Sequence, residues 1–181
     1  ADPTSPPSPS EPIVSKFLSY TETFEENIPK SFSLKVNKTF SFDEFSIPNG
    51  TLIECNSKEF KYVHTYSSTP SNILLSSFEF GLGYTIVASE TFTVTFEGTT
   101  SIDPSLISVV SGVPNSFGPT RSGTLVSIDD LSELSEKNFL VMNNRTICKF
   151  LGKLEDKCSF TDFEFGKGYT ILSNSTFEFN L

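Results

Sequence analysis

The chain repeats itself. Phe78-Glu79-Phe80-Gly81-Leu82-Gly83-Tyr84-Thr85-Ile86 returns as Phe163-Glu164-Phe165-Gly166-Lys167-Gly168-Tyr169-Thr170-Ile171, with only the residue between the glycines changed. The likeness continues more loosely through Thr91-Phe92 and Thr176-Phe177. A period of 85 residues is too long for a solenoid unit and suits a small β-sandwich domain. The 181 residues are therefore expected to hold two copies of one domain, each with a modest core of its own.

The residues between the repeats read as short strands. Phe, Thr, Val, Ile and Tyr are abundant, with 19 Phe and no Trp, a mixture that suits pleated surfaces. Ser31 to Val36 alternates polar and apolar, as a half-buried strand does. Pro48-Asn49-Gly50 signals a turn. Strands are expected over 51–55, 58–66, 74–80 and 84–96, then a short joint from Gly98 to Asp103 that limits freedom between the copies. The second copy opens at 103–110 and passes a turn-rich stretch to Gly123. Strands follow near 124–128, 139–142, 146–150 and 157–163, before the repeated ending. Asp129 to Lys137 reads as a solvated acidic loop, at most one helical turn. About seven short strands per copy, at roughly 8–12-residue spacing, predict an all-β chain of two tandem immunoglobulin-like β-sandwiches. The expected divisions are an expression scar (Ala1-Asp2-Pro3) with a Pro/Ser-rich leader over 1–12, a first domain over 13–98, and a second over 99–181.

A net charge of −9 argues against nucleic acid, where a basic stripe supplies affinity, and against an anionic membrane surface. No stretch is long and apolar enough to span a bilayer. The chain stops just after a strand-like segment, so a membrane anchor is expected outside the fragment. Four N-glycosylation acceptors occur, at Asn37, Asn49, Asn144 and Asn174. Asn49 and Asn144 each stand just before what reads as the equivalent Cys-bearing segment of their copy. The pattern predicts an extracellular chain. That oxidising setting favours a disulfide between Cys148 and Cys158. Cys55 is then a free thiol, buried as a small hydrophobe, or else reactive or paired with another chain.

Catalytic chemistry is missing from the text. The one His, His64, lies in a strand-like run without a second His or a Cys pair near it, so it reads as a packed or surface residue. No Gly-x-Ser-x-Gly elbow occurs. Gly81-Leu82-Gly83 and Gly166-Lys167-Gly168 do not open a phosphate loop; they read as tight connections needing φ > 0 or close packing. Asp129, Asp130, Glu133 and Glu136 lack the spacing of a calcium loop. Neither a metal nor a cofactor is expected, and the chain is not read as an enzyme. Phe78/Phe80 and Phe163/Phe165 are two apart, so each pair is expected on one sheet face, the core face.

Leu106-Ile107-Ser108-Val109-Val110, followed by the stretch Gly118-Pro119-Thr120-Arg121-Ser122-Gly123-Thr124-Leu125-Val126-Ser127-Ile128, resembles the opening of an IPT/TIG domain, an E-set immunoglobulin-like fold. Ser122 stands where a second glycine is usual. Cys148 and Cys158 sit where many members carry a bridging pair, and Gly166 to Ile171 looks like the closing hairpin. The resemblance covers residues 102–181. The first copy is a weaker match, without the Gly-Pro stretch or a second cysteine, and reads as divergent. The Ser/Thr/Phe-rich style, tandem copies and sequons look most like the adhesion and allorecognition receptors of social amoebae.

The resemblance implies a cell-surface glycoprotein that mediates adhesion or self/non-self recognition by binding another cell-surface protein, of the same family or not. The alternatives are a carbohydrate-binding or enzyme-accessory module, or a spacer within a larger ectodomain. Contacts are expected in the more divergent first copy, at Ser31–Val36 and along Lys58, Phe60, Tyr62, His64 and Tyr66, where aromatic and charged residues alternate.

Overall fold

The computed structural model describes residues 14–56, the backbone of 61–65, and 75–181. Among the described residues there is no α-helix. The fold is all-β, with three single 3₁₀ turns at Phe42–Glu44, Ile128–Asp130 and Ser132–Leu134.

The first unit comprises β1 (Phe17–Phe24), β2 (Lys30–Phe32), β3 (Phe40–Ser41), β4 (Leu52–Asn56), β5 (Lys61–Thr65), β6 (Ser77–Phe78), β7 (Tyr84–Val87) and β8 (Phe92–Thr99). The second repeats them as β9 (Leu106–Val109), β10 (Asn115–Phe117), β11 (Leu125–Ser127), β12 (Asn138–Asn143), β13 (Thr146–Leu151), β14 (Asp162–Glu164), β15 (Tyr169–Ser173) and β16 (Phe177–Asn180). Pairing is the same in both. A four-stranded sheet runs β2-β7-β4-β5 in one and β10-β15-β12-β13 in the other; the remaining strands pair as β1-β8 with β3-β6, and β9-β16 with β11-β14. All these pairs are antiparallel. The long β1-β8 ribbon shows how the sequence selects its register. Thr21/Thr95 and Thr23/Thr93 face each other on the wet side, with hydroxyls 3.3 and 3.2 Å apart, while Phe24, Val94 and Phe96 turn inward. Cross-strand hydroxyl pairs of this kind are worth roughly 0.2–1 kcal/mol each.

The buried side chains form two clusters, one from Phe24 to Phe96 and one from Ile107 to Leu181. An aromatic quartet centres each, three of its rings at equivalent positions and the fourth one inward position apart on the last strand. Phe32 packs against Phe78, Tyr84 and Phe96; Phe117 packs against Phe163, Tyr169 and Phe179. The two tyrosines are tied alike. Tyr84 Oη accepts from Glu79 N and donates to Ser77 O, and Tyr169 Oη accepts from Glu164 N and donates to Asp162 O. Burial pushes both phenols well above their ordinary pKa, so each remains a neutral donor that fixes the turn before its strand.

Several expectations are revised. Gly98 and Thr99 continue β8, so the joint between units is shorter than expected. It is also pinned: Thr100 is buried and exchanges hydrogen bonds with Lys16, and Ser122 N donates to Ser101 O at 2.8 Å. The acidic stretch after Ser127 forms two 3₁₀ turns, and Asp129 Oδ1 accepts from Leu154 N at 2.9 Å. Phe78 and Phe163 are buried as expected, whereas Phe80 and Phe165 are only half-buried. Cys55 and Cys148 do not occupy equivalent places. Ile53 pairs with His64 and Ile86 as Val141 pairs with Cys148 and Ile171. Cys148 therefore stands where the first unit has His64, and Asn56 and Asn144 are the true equivalents.

Candidate interaction surfaces

The repeated glycine motif turns out to be the place where the units meet. Its first glycine answers a backbone demand: Gly81 and Gly166 have φ of 91° and 87°, a region costly for residues with a Cβ. Its second glycine answers close approach. A Cβ on Gly83 would lie 2.5 Å from Phe117 O, and one on Gly168 would lie 2.5 Å from Phe32 O. In both cases the obstructing backbone belongs to the other unit. Both readings of the motif hold, one per glycine.

Two sets of bonds at this seam have counterparts. Ser33 N donates to Gly166 O at 3.0 Å, and Gly118 N to Gly81 O at 3.1 Å. Asn144 N donates to Ser31 Oγ at 2.8 Å, and Asn56 N to Ser116 Oγ at 2.9 Å. Ser31 and Ser116 are each braced by a threonine hydroxyl, Thr85 at 2.7 Å and Thr170 at 2.8 Å. If i touches j′ and i′ touches j, the two copies are related by a local two-fold. Ser33 and Gly118 are equivalents that lie against each other at its centre: a Cβ on Gly118 would overlap the Ser33 side chain. The symmetry is broken by the ion pair of Arg145 with Glu54, by the bond from Ser33 Oγ to Lys167 O, and by the bond from Ser31 N to Asn144 Oδ1, whose counterpart atom, Asn56 Oδ1, has no partner among the described residues.

The seam corrects one expected contact segment. Ser31, Phe32, Ser33, Leu34 and Val36 are all buried, and Ser31 and Ser33 are hydrogen-bonded across the seam. The alternation of polar and apolar residues there reflects hydroxyls aimed at the second unit, not at solvent. Of the other expected contact residues, Lys58, Phe60 and Tyr66 lie outside the described residues. Tyr62 and His64 lie on β5, opposite Cys55 and Ile53, at the edge of their sheet.

A second surface is the outer face of the β10-β15-β12-β13 sheet. Alternation places Leu140 and Met142 of β12, Ile147, Lys149 and Leu151 of β13, and Leu172 of β15 on one side. Ile147 is 61% and Leu151 62% exposed. Among the described residues the face carries no aromatic ring. In the first unit the equivalents of Leu140 and Met142 are Leu52 and Glu54, both half-buried.

All four sequon asparagines are exposed. The expected Cys148–Cys158 disulfide is not formed in the structure: both are free thiols, neighbours of each other, with Cys148 buried and Cys158 half-buried. Desolvation and the neighbouring Cys148 push the Cys158 thiol up to about 11. Cys55 is free and buried, and desolvation, with Glu79 adding to it, pushes it up to about 12. Among the described residues no three His, Cys, Asp or Glu gather to hold a metal, and no helix is long and apolar enough to cross a membrane. No protein-family profile, curated protein or solved structure matches the chain.

Proposed function

We propose that the chain is a pair of immunoglobulin-like domains of the IPT/TIG kind, divided near residues 97–103, from the extracellular part of a cell-surface glycoprotein that binds another protein in adhesion or recognition. The paired tyrosines support the immunoglobulin-like reading, because a tyrosine whose hydroxyl bonds back to backbone upstream marks that architecture. Four exposed sequons and the adjacent Cys148 and Cys158 support an oxidising, glycosylating compartment, where the two thiols would close into a disulfide. Fold alone does not assign function, so the reading leans on the surface.

The observation that carries the reading is the aliphatic outer face of the second unit. A contiguous exposed apolar face marks an interaction site. Its leucines, isoleucine and methionine suit a protein surface, whereas a sugar platform would present rings for stacking. Lys149 in its midst favours an acidic residue on the partner, in keeping with a chain that is itself acidic.

The test is a bead-aggregation assay with the glycosylated fragment, alone and against related surface proteins. Ile147→Asp and Leu140→Asp are expected to weaken binding on the order of 30-fold or more, the scale of a central interface anchor. Tyr62→Ala on the β5 edge reports on the contact expected in the first unit. If only Tyr62→Ala abolishes binding, the contact lies there. If neither binds protein and a glycan array responds, the module recognises carbohydrate.

A further inference from the structure

Asn144 differs from the other sequon asparagines in its surroundings. It lies with Arg145 at the tip of the β12-β13 hairpin, both at positive φ, 51° and 62°, as a two-residue type I′ turn requires. Its Oδ1 accepts from Ser31 N at 2.5 Å and its backbone N donates to Ser31 Oγ. Both bonds cross the seam. They hold the amide plane in one orientation relative to both units.

Two clefts adjoin this residue. One, of about 530 Å³, is lined by Asn144, Thr146, Phe160, Asp162, Glu164 and Lys167. The other, of about 260 Å³, spans the seam and shares Asn144, Glu164 and Lys167 while adding Lys35 of the first unit. The larger lies in the size range of pockets that enclose a small ligand. A half-buried phenyl ring beside carboxylates and an ammonium matches a sugar, whose apolar face stacks on the ring while its hydroxyls find charged partners.

We propose that an N-linked glycan on Asn144 is an integral part of the seam, with its first sugars packed in these clefts against Phe160, unlike the glycan on Asn37. Glycosylation leaves the seam intact. Oligosaccharyl transfer from a lipid pyrophosphate donor breaks the C1–O bond of the donor and forms a C1–Nδ2 bond. One Nδ2 proton is lost to the departing pyrophosphate. Oδ1, the atom that accepts from Ser31, is not consumed. The product is still an amide, so the carbonyl that binds the first unit also sets the direction in which the sugar leaves.

The proposal rests on the extracellular reading, and site-by-site glycopeptide mass spectrometry separates the two. The fragment is secreted from a eukaryotic host and treated with peptide-N-glycosidase before and after denaturation. Asn37 is expected to be released in the native protein, and Asn144 at least about tenfold more slowly until the protein is denatured. Phe160→Ala should bring Asn144 to the rate of Asn37. Thr146→Ala removes the glycan but leaves the asparagine contacts, and should raise amide exchange at Ser31 and Ser33. Equal native release at Asn37 and Asn144, or an unmodified Asn144 beside an occupied Asn37, overturns the proposal. If no sequon is occupied, the extracellular reading falls and the proposal with it. Should Phe160→Ala unfold the chain, Thr146→Ala decides alone: unchanged exchange at Ser31 and Ser33 then counts against the proposal.

Discussion

The two units share strands, pairing and aromatic core, yet at the centre of their contact one has Ser33 and the other Gly118. Equivalent residues that meet across a two-fold face themselves. Space there admits one side chain, so a serine on one copy requires a glycine on the other. The absence of the Gly-Pro stretch from the first unit thus has a physical reason at its first position: the first unit supplies the Ser33 side chain, which donates to Lys167 O at 2.8 Å, and the second supplies the hollow. A contact between copies becomes asymmetric where symmetry would produce a clash.

The largest expected effect tests what the units share. Phe32→Ala and Phe117→Ala each remove the centre of an aromatic quartet and should cost about 3–5 kcal/mol by chemical denaturation. The two costs should be alike. A much smaller loss for one would show that its quartet does not organise its core. Next come the seam glycines. Gly83→Ala and Gly168→Ala push a methyl against backbone of the other unit and should each destabilise by about 1–3 kcal/mol, as overpacking does. Gly118→Ser should do the same, while Ser33→Gly should lose only the Lys167 bond and some chain stiffness. If Gly118→Ser is tolerated as well as Ser33→Gly, the two positions do not meet as described.

These residues also show what was legible in the chain. Many of the strands, the two cores and the two uses of the glycines could be read from periodicity and the repeat, because each is a local demand on backbone or burial; β10 was hidden in the turn-rich stretch, and the strand expected over 157–163 is only Asp162–Glu164. The seam could not. Nothing in Phe-Gly-x-Gly-Tyr distinguishes a glycine pressed by its own unit from one pressed by its twin, and Ser31 and Ser33 look the same whether they face water or a partner. The equivalence of Asn56 with Asn144 was hidden for a related reason. Hairpin length differs between copies, and only sheet register reveals which residues correspond. Asn144 was legible as a sequon, but its place at the seam was not.

The ion pair that breaks the symmetry should matter less. Arg145 is 40% exposed on its side chain, and an exposed pair contributes about 0–1 kcal/mol. Glu54→Gln should fall in that range and fade further in high salt. A loss well above this would mean that Glu54, half-buried where the second unit has Met142, depends on Arg145 to offset its burial.

The smallest expected effect separates the cysteines. Cys55 in β4 is buried with its thiol pushed up to about 12, whereas Cys158 is half-buried beside Cys148. The thiolate is the reactive form, so in the reduced native protein at pH 8 iodoacetamide should label Cys158 first and leave Cys55 untouched until global unfolding. The sign of the linkage is fixed by the direction of the shift. The folded pKa lies above the ordinary 9.0, so the contribution of Cys55 to stability is complete below about pH 9 and is lost as pH rises through 12. Between pH 6 and 8, denaturation midpoints of the wild type and of Cys55→Ser should therefore differ by a constant amount, set by packing and not by titration. A difference that changes across that window, or rapid native labelling of Cys55, would show the thiol open to solvent and the β4 face of the first core less closed than the structure has it.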